Sequence, residues 1–146
     1  MALEKSLWQR LRNGADKLRE AGYWVDLRRI ENTCEKGTPD VEGCIDGAQV
    51  WIELKSCKRP ARASTPCHPK IRDEQVEWLK NRAECGCNSV WLLIQVGEAH
   101  KACLYLIPGH LAARAIDVPE SSLETLATCS PHLSPAEILL RAARGW

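Results

Sequence analysis

Apolar side chains recur at helical spacing near the start of this chain, where Leu3, Leu7, Leu11, Ala15 and Leu18 fall on one stripe between charged positions. That period predicts an amphipathic helix burying a single face. Further along, the period changes. Val41–Ile45 and residues 49–56 are rich in β-branched and apolar side chains, and the Asp46-Gly47 pair between them favours a tight turn because Gly tolerates positive φ. A hairpin is therefore expected there, led into by a strand that carries Arg28 and Arg29. A second helix should begin near Arg72, followed by an apolar strand over 89–96 and another over 102–107 that Pro108-Gly109 ends. Short helices are expected over 110–116 and 121–128. Ser134-Pro135-Ala136-Glu137 has the form of a capping box with Pro at the first helical position, which places a last helix over 134–144.

Alternation along the second hairpin strand puts Trp51, Glu53 and Lys55 on one side, and Val50, Ile52 and Leu54 on the other. Asp40 follows a Gly37-Thr38-Pro39 turn at the mouth of the preceding strand, and a hairpin of this length can fold it back beside Glu53. Hard cations such as Mg²⁺ take carboxylate, carbonyl and water oxygens, so Asp40, Glu53 and the Leu54 backbone carbonyl would make a partial shell. A bound metal can activate water and neutralise the charge developing on a phosphodiester, while Lys55 would orient the water or stabilise the phosphoryl oxygens. The bare spacing also fits a solvated sheet face with a cross-strand ion pair. The order of the surrounding elements favours chemistry.

That order of helix, strand, hairpin, helix and strand, with the acids on the hairpin, resembles the PD-(D/E)xK nuclease superfamily. Within it the chain looks most like the virus-type replication-repair nuclease (VRR-NUC) domains and the archaeal-type Holliday junction resolvases. The matching residues are Gly37-Thr38-Pro39-Asp40, Trp51-Ile52-Glu53-Leu54-Lys55-Ser56, Gln75 within Asp73-Glu74-Gln75-Val76-Glu77-Trp78-Leu79, and Gly86, in a core spanning residues 3–107. The resemblance implies an α/β fold with a central mixed sheet of about five strands flanked by helices, a restriction-endonuclease-like core, and a C-terminal helical extension over 108–146. It implies Asp40 and Glu53 as metal ligands, Lys55 as the catalytic lysine, and Gln75 as a polar residue of the second helix facing the site. Such families often add an acid from the first helix. Glu4 is the candidate and Glu20 the fallback, although an acid in a helical first turn is also favourable for the macrodipole. The implied activity is an Mg²⁺- or Mn²⁺-dependent DNA endonuclease acting on branched or structured DNA in recombination or repair, in a bacterial or phage setting. A homodimer would cut two symmetric strands. Two other readings are a catalytically inactive nucleic-acid-binding or assembly module of the same fold, and a zinc-stabilised interaction domain.

A chain of 146 residues suits one domain. Its formal net charge of +1, with 45% hydrophobic and 27% charged residues, does not announce nucleic-acid binding, so DNA contacts must come from local clustering. Such a cluster exists: Lys58, Arg59, Arg62 and Lys70 fall in a stretch without Asp or Glu, where Pro60, Pro66 and Pro69 prevent a regular element. A basic loop would thus leave the catalytic strand, binding phosphates in a salt-dependent way or serving only as a solvated connection. Arg28 and Arg29 offer a second contact. No apolar stretch is long enough to span a bilayer, and Glu4, Lys5, Arg10 and Arg12 leave no room for a signal-peptide core, so a cytoplasmic protein without membrane contact is expected.

There the eight cysteines should stay reduced. Cys67-His68 and Cys85-x-Cys87 could converge on structural Zn²⁺, but such sites usually show two Cys-x₂₋₄-Cys knuckles, and small buried thiols are the default. The chain has six Trp and no Phe. Trp24, Trp51, Trp78 and Trp91 are expected to pack, with Trp51, on the face of Glu53 and Lys55, also placed for base stacking. Leu139 and Leu140 give the last helix an apolar side opposite Arg141 and Arg144, to pack on the sheet or on a second copy.

Overall fold

In the computed structural model, which describes residues 3–31 and 34–146 and side chains from residue 5 onward, helix α1 (Leu3–Glu20) leads into a five-stranded sheet. Strands β1 (Val25–Arg29), β2 (Val41–Ile45), β3 (Ala48–Cys57), β4 (Val90–Val96) and β5 (Cys103–Pro108) lie side by side in chain order. The first three form an antiparallel meander, β4 runs parallel to β3, and β5 is antiparallel to β4. A parallel step requires a crossover, which α2 (Asp73–Glu84) provides. Beyond β5 come a 3-10 helical segment (Gly109–Ala115), α3 (Glu120–Leu126) and α4 (Pro135–Ala143). This is the expected α/β sheet flanked by helices.

The alternation read from β3 divides the core in two. Leu7, Leu11, Ala15 and Leu18 of α1 bury against Val50, Ile52 and Leu54, and the opposite side of the sheet gathers Leu79, Leu92, Ile94 and Ile107. Strand β4 is buried along its whole length, as befits a strand covered on both faces, and each fully buried Leu or Ile there contributes roughly 1.5–3 kcal/mol. Helix α4 settles the choice left open for it by packing on α1 within the chain. A Cβ at Gly14 would meet the Ala136 nitrogen at 2.8 Å, so only Gly lets the two helices approach this closely. Ser134 caps α4 by accepting from the Glu137 amide at 3.2 Å. The short helix expected over 110–116 is present as a 3-10 helix, Gly109–Ala115.

One mismatch in strand length creates the site. The Asp46-Gly47 turn takes φ of 47° and 87°, the left-handed pair of a two-residue hairpin, and the β2–β3 ladder runs from Ile45↔Ala48 only to Val41↔Ile52. Strand β3 continues to Cys57, paired from Trp51 onward with β4. Beyond Ile52 its β2-side edge has lost its strand partner because the chain turns away through Gly37-Thr38-Pro39, where Pro39 has no N–H to donate. Asp40 sits in that gap.

Trp24 departs from expectation. It is 84% exposed, because it precedes the edge strand β1, whose outer margin pairs with no other strand among the described residues.

Candidate active site

Asp40 replaces a ladder partner with a side chain. Its Oδ2 accepts from the Leu54 backbone N–H at 2.9 Å, while its own carbonyl accepts from Ile30 N at 2.7 Å, so it is held between β1 and β3. The Asp40 carboxyl lies close enough to Glu53 for its charge to raise the Glu53 pKa. Glu53 is 1% exposed and Lys55 6%, and the Lys55 Nζ lies 3.7 Å from Glu53 Oε1. The structure therefore brings together the three residues expected to meet.

Gln75 completes the group through a detail the sequence did not reveal. Its Oε1 accepts from the Arg72 N–H at 2.9 Å, capping α2, and its Nε2 donates to Glu53 Oε1 at 2.7 Å. Because the capping bond fixes which end of the amide faces the helix, the donor end must face Glu53. Gly37 packs the Asp40 loop against the same helical turn: a Cβ there would lie 2.2 Å from the Glu74 carbonyl oxygen, and its φ is +91°. One helix start thus positions both acids.

The electrostatics of this cluster are unfavourable for two bare carboxylates. Burial first, and then the neighbouring Asp40, push Glu53 up to about 8 from its usual 4.5, with Lys55 opposing. Glu53 Oε2 is buried with no hydrogen-bond partner, an arrangement that costs on the order of 1–3 kcal/mol for an ordinary polar group. An unpartnered buried oxygen beside a second carboxyl fits a hard cation's donor set. Among the described residues no group of three or more His, Cys, Asp or Glu gathers to hold a metal. Two carboxylates with water or carbonyl oxygens suit Mg²⁺ or Mn²⁺ better than a closed Zn²⁺ shell.

A pH dependence follows. In metal-free protein Glu53 keeps its proton to about pH 8, whereas the unfolded chain loses it near 4.5. The stability this confers is full below the lower value and is lost as pH rises through the upper one. Thermal unfolding in chelator should show stability falling between about pH 5 and 8.5 relative to Glu53→Gln, which cannot titrate. Parallel pH profiles for the two proteins would contradict the burial of this carboxyl.

The other expected residues scatter. Glu4 belongs to the first turn of α1, and its side chain lies outside the described residues. Glu20 is excluded from the site: it is exposed where α1 turns back toward the start of β1, whereas Asp40 adjoins the other end of that strand. Leu54 engages Asp40 through its amide; its carbonyl is not part of that contact. Arg28 and Arg29 are exposed on β1, and Arg28 pairs with Asp26 at 3.2 Å.

In the basic loop Lys58, Arg62 and Lys70 are exposed, but Arg59 is committed elsewhere. Its guanidinium donates to both Glu120 carboxylate oxygens at 2.7 and 2.9 Å, and to the Lys101 carbonyl at 2.8 Å. Tyr105 donates to the same acid at 2.6 Å, and the Arg59 contact first among these holds the Glu120 carboxyl below its usual range. Arg59 fastens the loop to α3 rather than presenting a cation to DNA. Partners 61 residues apart leave no local signal in the sequence.

The proposed zinc convergence does not form. Cys67 is buried against Cys57, whose thiol burial pushes up to about 12, and His68 faces Asp117 at 2.8 Å. Cys85 and Cys87 are exposed at the end of α2. Trp51 packs against Trp78 with ring centroids 5.2 Å apart and planes tilted by 57°, and Arg82 lies over both rings, so its half-buried ring is occupied by packing. No helix among the described residues is long and apolar enough to cross a membrane.

No protein-family model and no curated protein matches the sequence. Among solved structures the chain is similar to the 1.6 Å resolution structure of Archaeoglobus fulgidus Hjc, a Holliday junction resolvase from an archaeal hyperthermophile, with a TM-score of 0.50 and 18% identity over 89% of this chain and 97% of that one. At that identity the likeness concerns the fold, which is of the restriction-endonuclease-like α/β type.

Proposed function

We propose that this protein is a divalent-metal-dependent DNA endonuclease of PD-(D/E)xK type, cutting branched or structured DNA such as Holliday junctions. The observation that carries the reading is the buried Glu53, with one oxygen unpartnered, beside Asp40 and within 3.7 Å of Lys55. Burying Glu53 beside the half-buried Asp40 carboxyl costs free energy that an ion shared between the two would offset.

Asp40 and Glu53 would hold Mg²⁺ or Mn²⁺, with the Leu54 carbonyl and an acid of α1, Glu4, as further ligands. When bound, the ion would lower the pKa of a coordinated water and offset charge on the phosphate. The chain's own residues then have distinct tasks. Gln75 fixes Glu53 so that Oε1 is occupied and Oε2 is the oxygen presented. Lys55, already beside that carboxylate, positions the attacking water and stabilises the phosphoryl oxygens. The exposed Lys58, Arg62 and Lys70, which leave from the end of the same strand, and Arg29, whose register partner Val41 adjoins Asp40, follow the backbone of the DNA. Two symmetric incisions require two such sites, so a homodimer is the working form. The fold shared with an enzyme described as a Holliday junction resolvase favours a junction over plain duplex.

Incubation with labelled four-way junction, flap, duplex and single-stranded DNA in Mg²⁺ or Mn²⁺ tests the reading. Metal-dependent cleavage, strongest on the junction, is expected. Absence of cleavage on every substrate in both metals would overturn it, and junction binding that persisted without cleavage, insensitive to Lys55→Ala, would identify an inactive binding module instead.

A further inference from the structure

We infer that the aromatic corner at Trp24 is a stacking platform for an unpaired base of the bound DNA, a role that rests on the endonuclease reading. Trp24 is 84% exposed and its neighbour Tyr23 37%, whereas Trp91 is fully buried. Its position before the edge strand leaves the indole in water, and Tyr23 beside it makes the exposed surface a pair of aromatic side chains rather than a single one. Its backbone is clamped rather than loose: Trp24 N–H donates to Asp46 Oδ1 at 2.8 Å, Asp46 N–H donates to the Trp24 carbonyl at 2.8 Å, and Tyr23 N–H donates to the Leu18 carbonyl at 3.0 Å. The indole is presented on a rigid mount, which lowers the entropy lost on binding.

Beside it lies an open cleft of about 510 Å³ lined by Arg19, Gly22, Tyr23, Trp24 and Val25. The Arg19 guanidinium is fixed there by Asp16 at 2.7 Å and the Val25 carbonyl at 3.0 Å. Aromatic faces with an adjacent guanidinium are the composition that stacks bases, because every base offers a π-face. The position suits the same conclusion. Strand β1 runs from this corner to Arg29, which pairs with Val41 next to Asp40. Five strand residues span roughly 17 Å, a distance that a few unpaired nucleotides can bridge, and the exposed Arg28 and Arg29 lie along the way.

A protein partner fits this corner poorly. Two aromatic side chains fall far short of the roughly 800 Å² that each partner of a stable interface buries. The adjoining edge strand carries Asp26, Arg28 and Arg29 on exposed positions, which blunts strand addition.

Binding of wild-type protein in chelator to flap and blunt duplex DNA, with 2-aminopurine placed in turn at successive unpaired positions beyond the branch, tests the inference. Trp24→Ala should weaken flap binding about tenfold or more and abolish the fluorescence change of the probe, Trp24→Phe should retain most of both, and duplex affinity should not move. Equal loss on all DNA, no loss on flap DNA, or a change of oligomeric state by sedimentation would overturn it, the last by assigning the corner to contact between copies. Mg²⁺-dependent cleavage measured on the same preparations separates the two readings. Cleavage with indifference to Trp24→Ala removes only this inference, and Trp24-dependent stacking without cleavage removes only the enzymatic one.

Discussion

Asp40→Asn should cut metal-dependent cleavage by roughly a thousandfold or more while leaving metal-free protein at least as stable as the parent. The two halves of this expectation come from the two oxygens of one side chain. Oδ2 accepts from the Leu54 amide, a task the Asn carbonyl oxygen performs equally well, so the strand gap stays filled. What Asn lacks is the second anionic oxygen for the ion and the negative charge that raises Glu53. Losing an ion that supplies several kcal/mol of transition-state stabilisation, at about 1.36 kcal/mol per decade, gives the stated loss in rate. Relief of like-charge repulsion gives the stability result. Chemical denaturation in chelator, together with kcat/KM in Mg²⁺, measures both. A variant that unfolds more easily and still cleaves would place Asp40 among structural residues only.

Gly37→Ala should be the most damaging single-methyl change near the site, lowering stability by roughly 2–4 kcal/mol and cleavage further still. The methyl group would sit 2.2 Å from the Glu74 carbonyl oxygen and 2.7 Å from its carbon, at a φ of +91°. A non-glycine residue at such a φ costs of the order of 1–3 kcal/mol, and the atoms struck are helix backbone, which cannot rotate away as a side chain tip would. The Asp40 loop must lift from α2, moving one carboxyl away from the other. Gly86→Ala is the control, since Gly86 also has positive φ, +103°, but nothing within 4 Å of its Cβ. Denaturant unfolding should show a smaller loss for Gly86→Ala, about 1–2 kcal/mol, with cleavage unchanged. Similar activity losses in both variants would mean that backbone strain, and not the contact with α2, governs the site.

Local periodicity carried much of this molecule. The hairpin, the shared face of Glu53 and Lys55, the crossover helix from Arg72 and the buried β4 all follow from patterns within a few residues. The approach of Asp40 to Glu53 was legible only as a consequence of hairpin folding. Its cause, β3 outrunning β2 beyond Ile52, depends on where pairing stops. Long-range polar contacts were silent in the sequence. Arg59 reads as a free cation until Glu120 folds over it, and Gln75 is expected at the site through the resemblance alone, and no local pattern shows that its amide joins the α2 cap to Glu53. Trp24 misled for the converse reason: residue type predicts burial, but its position before an edge strand decides exposure.

The central claim is that Asp40 and Glu53 coordinate one ion. Anomalous diffraction from crystals soaked in Mn²⁺ addresses it directly. A single peak about 2.2 Å from oxygens of both carboxylates, with Glu53 Oε2 among them, is the predicted result. Mn²⁺ bound elsewhere on the protein, with Glu53 still unpartnered, would contradict the account.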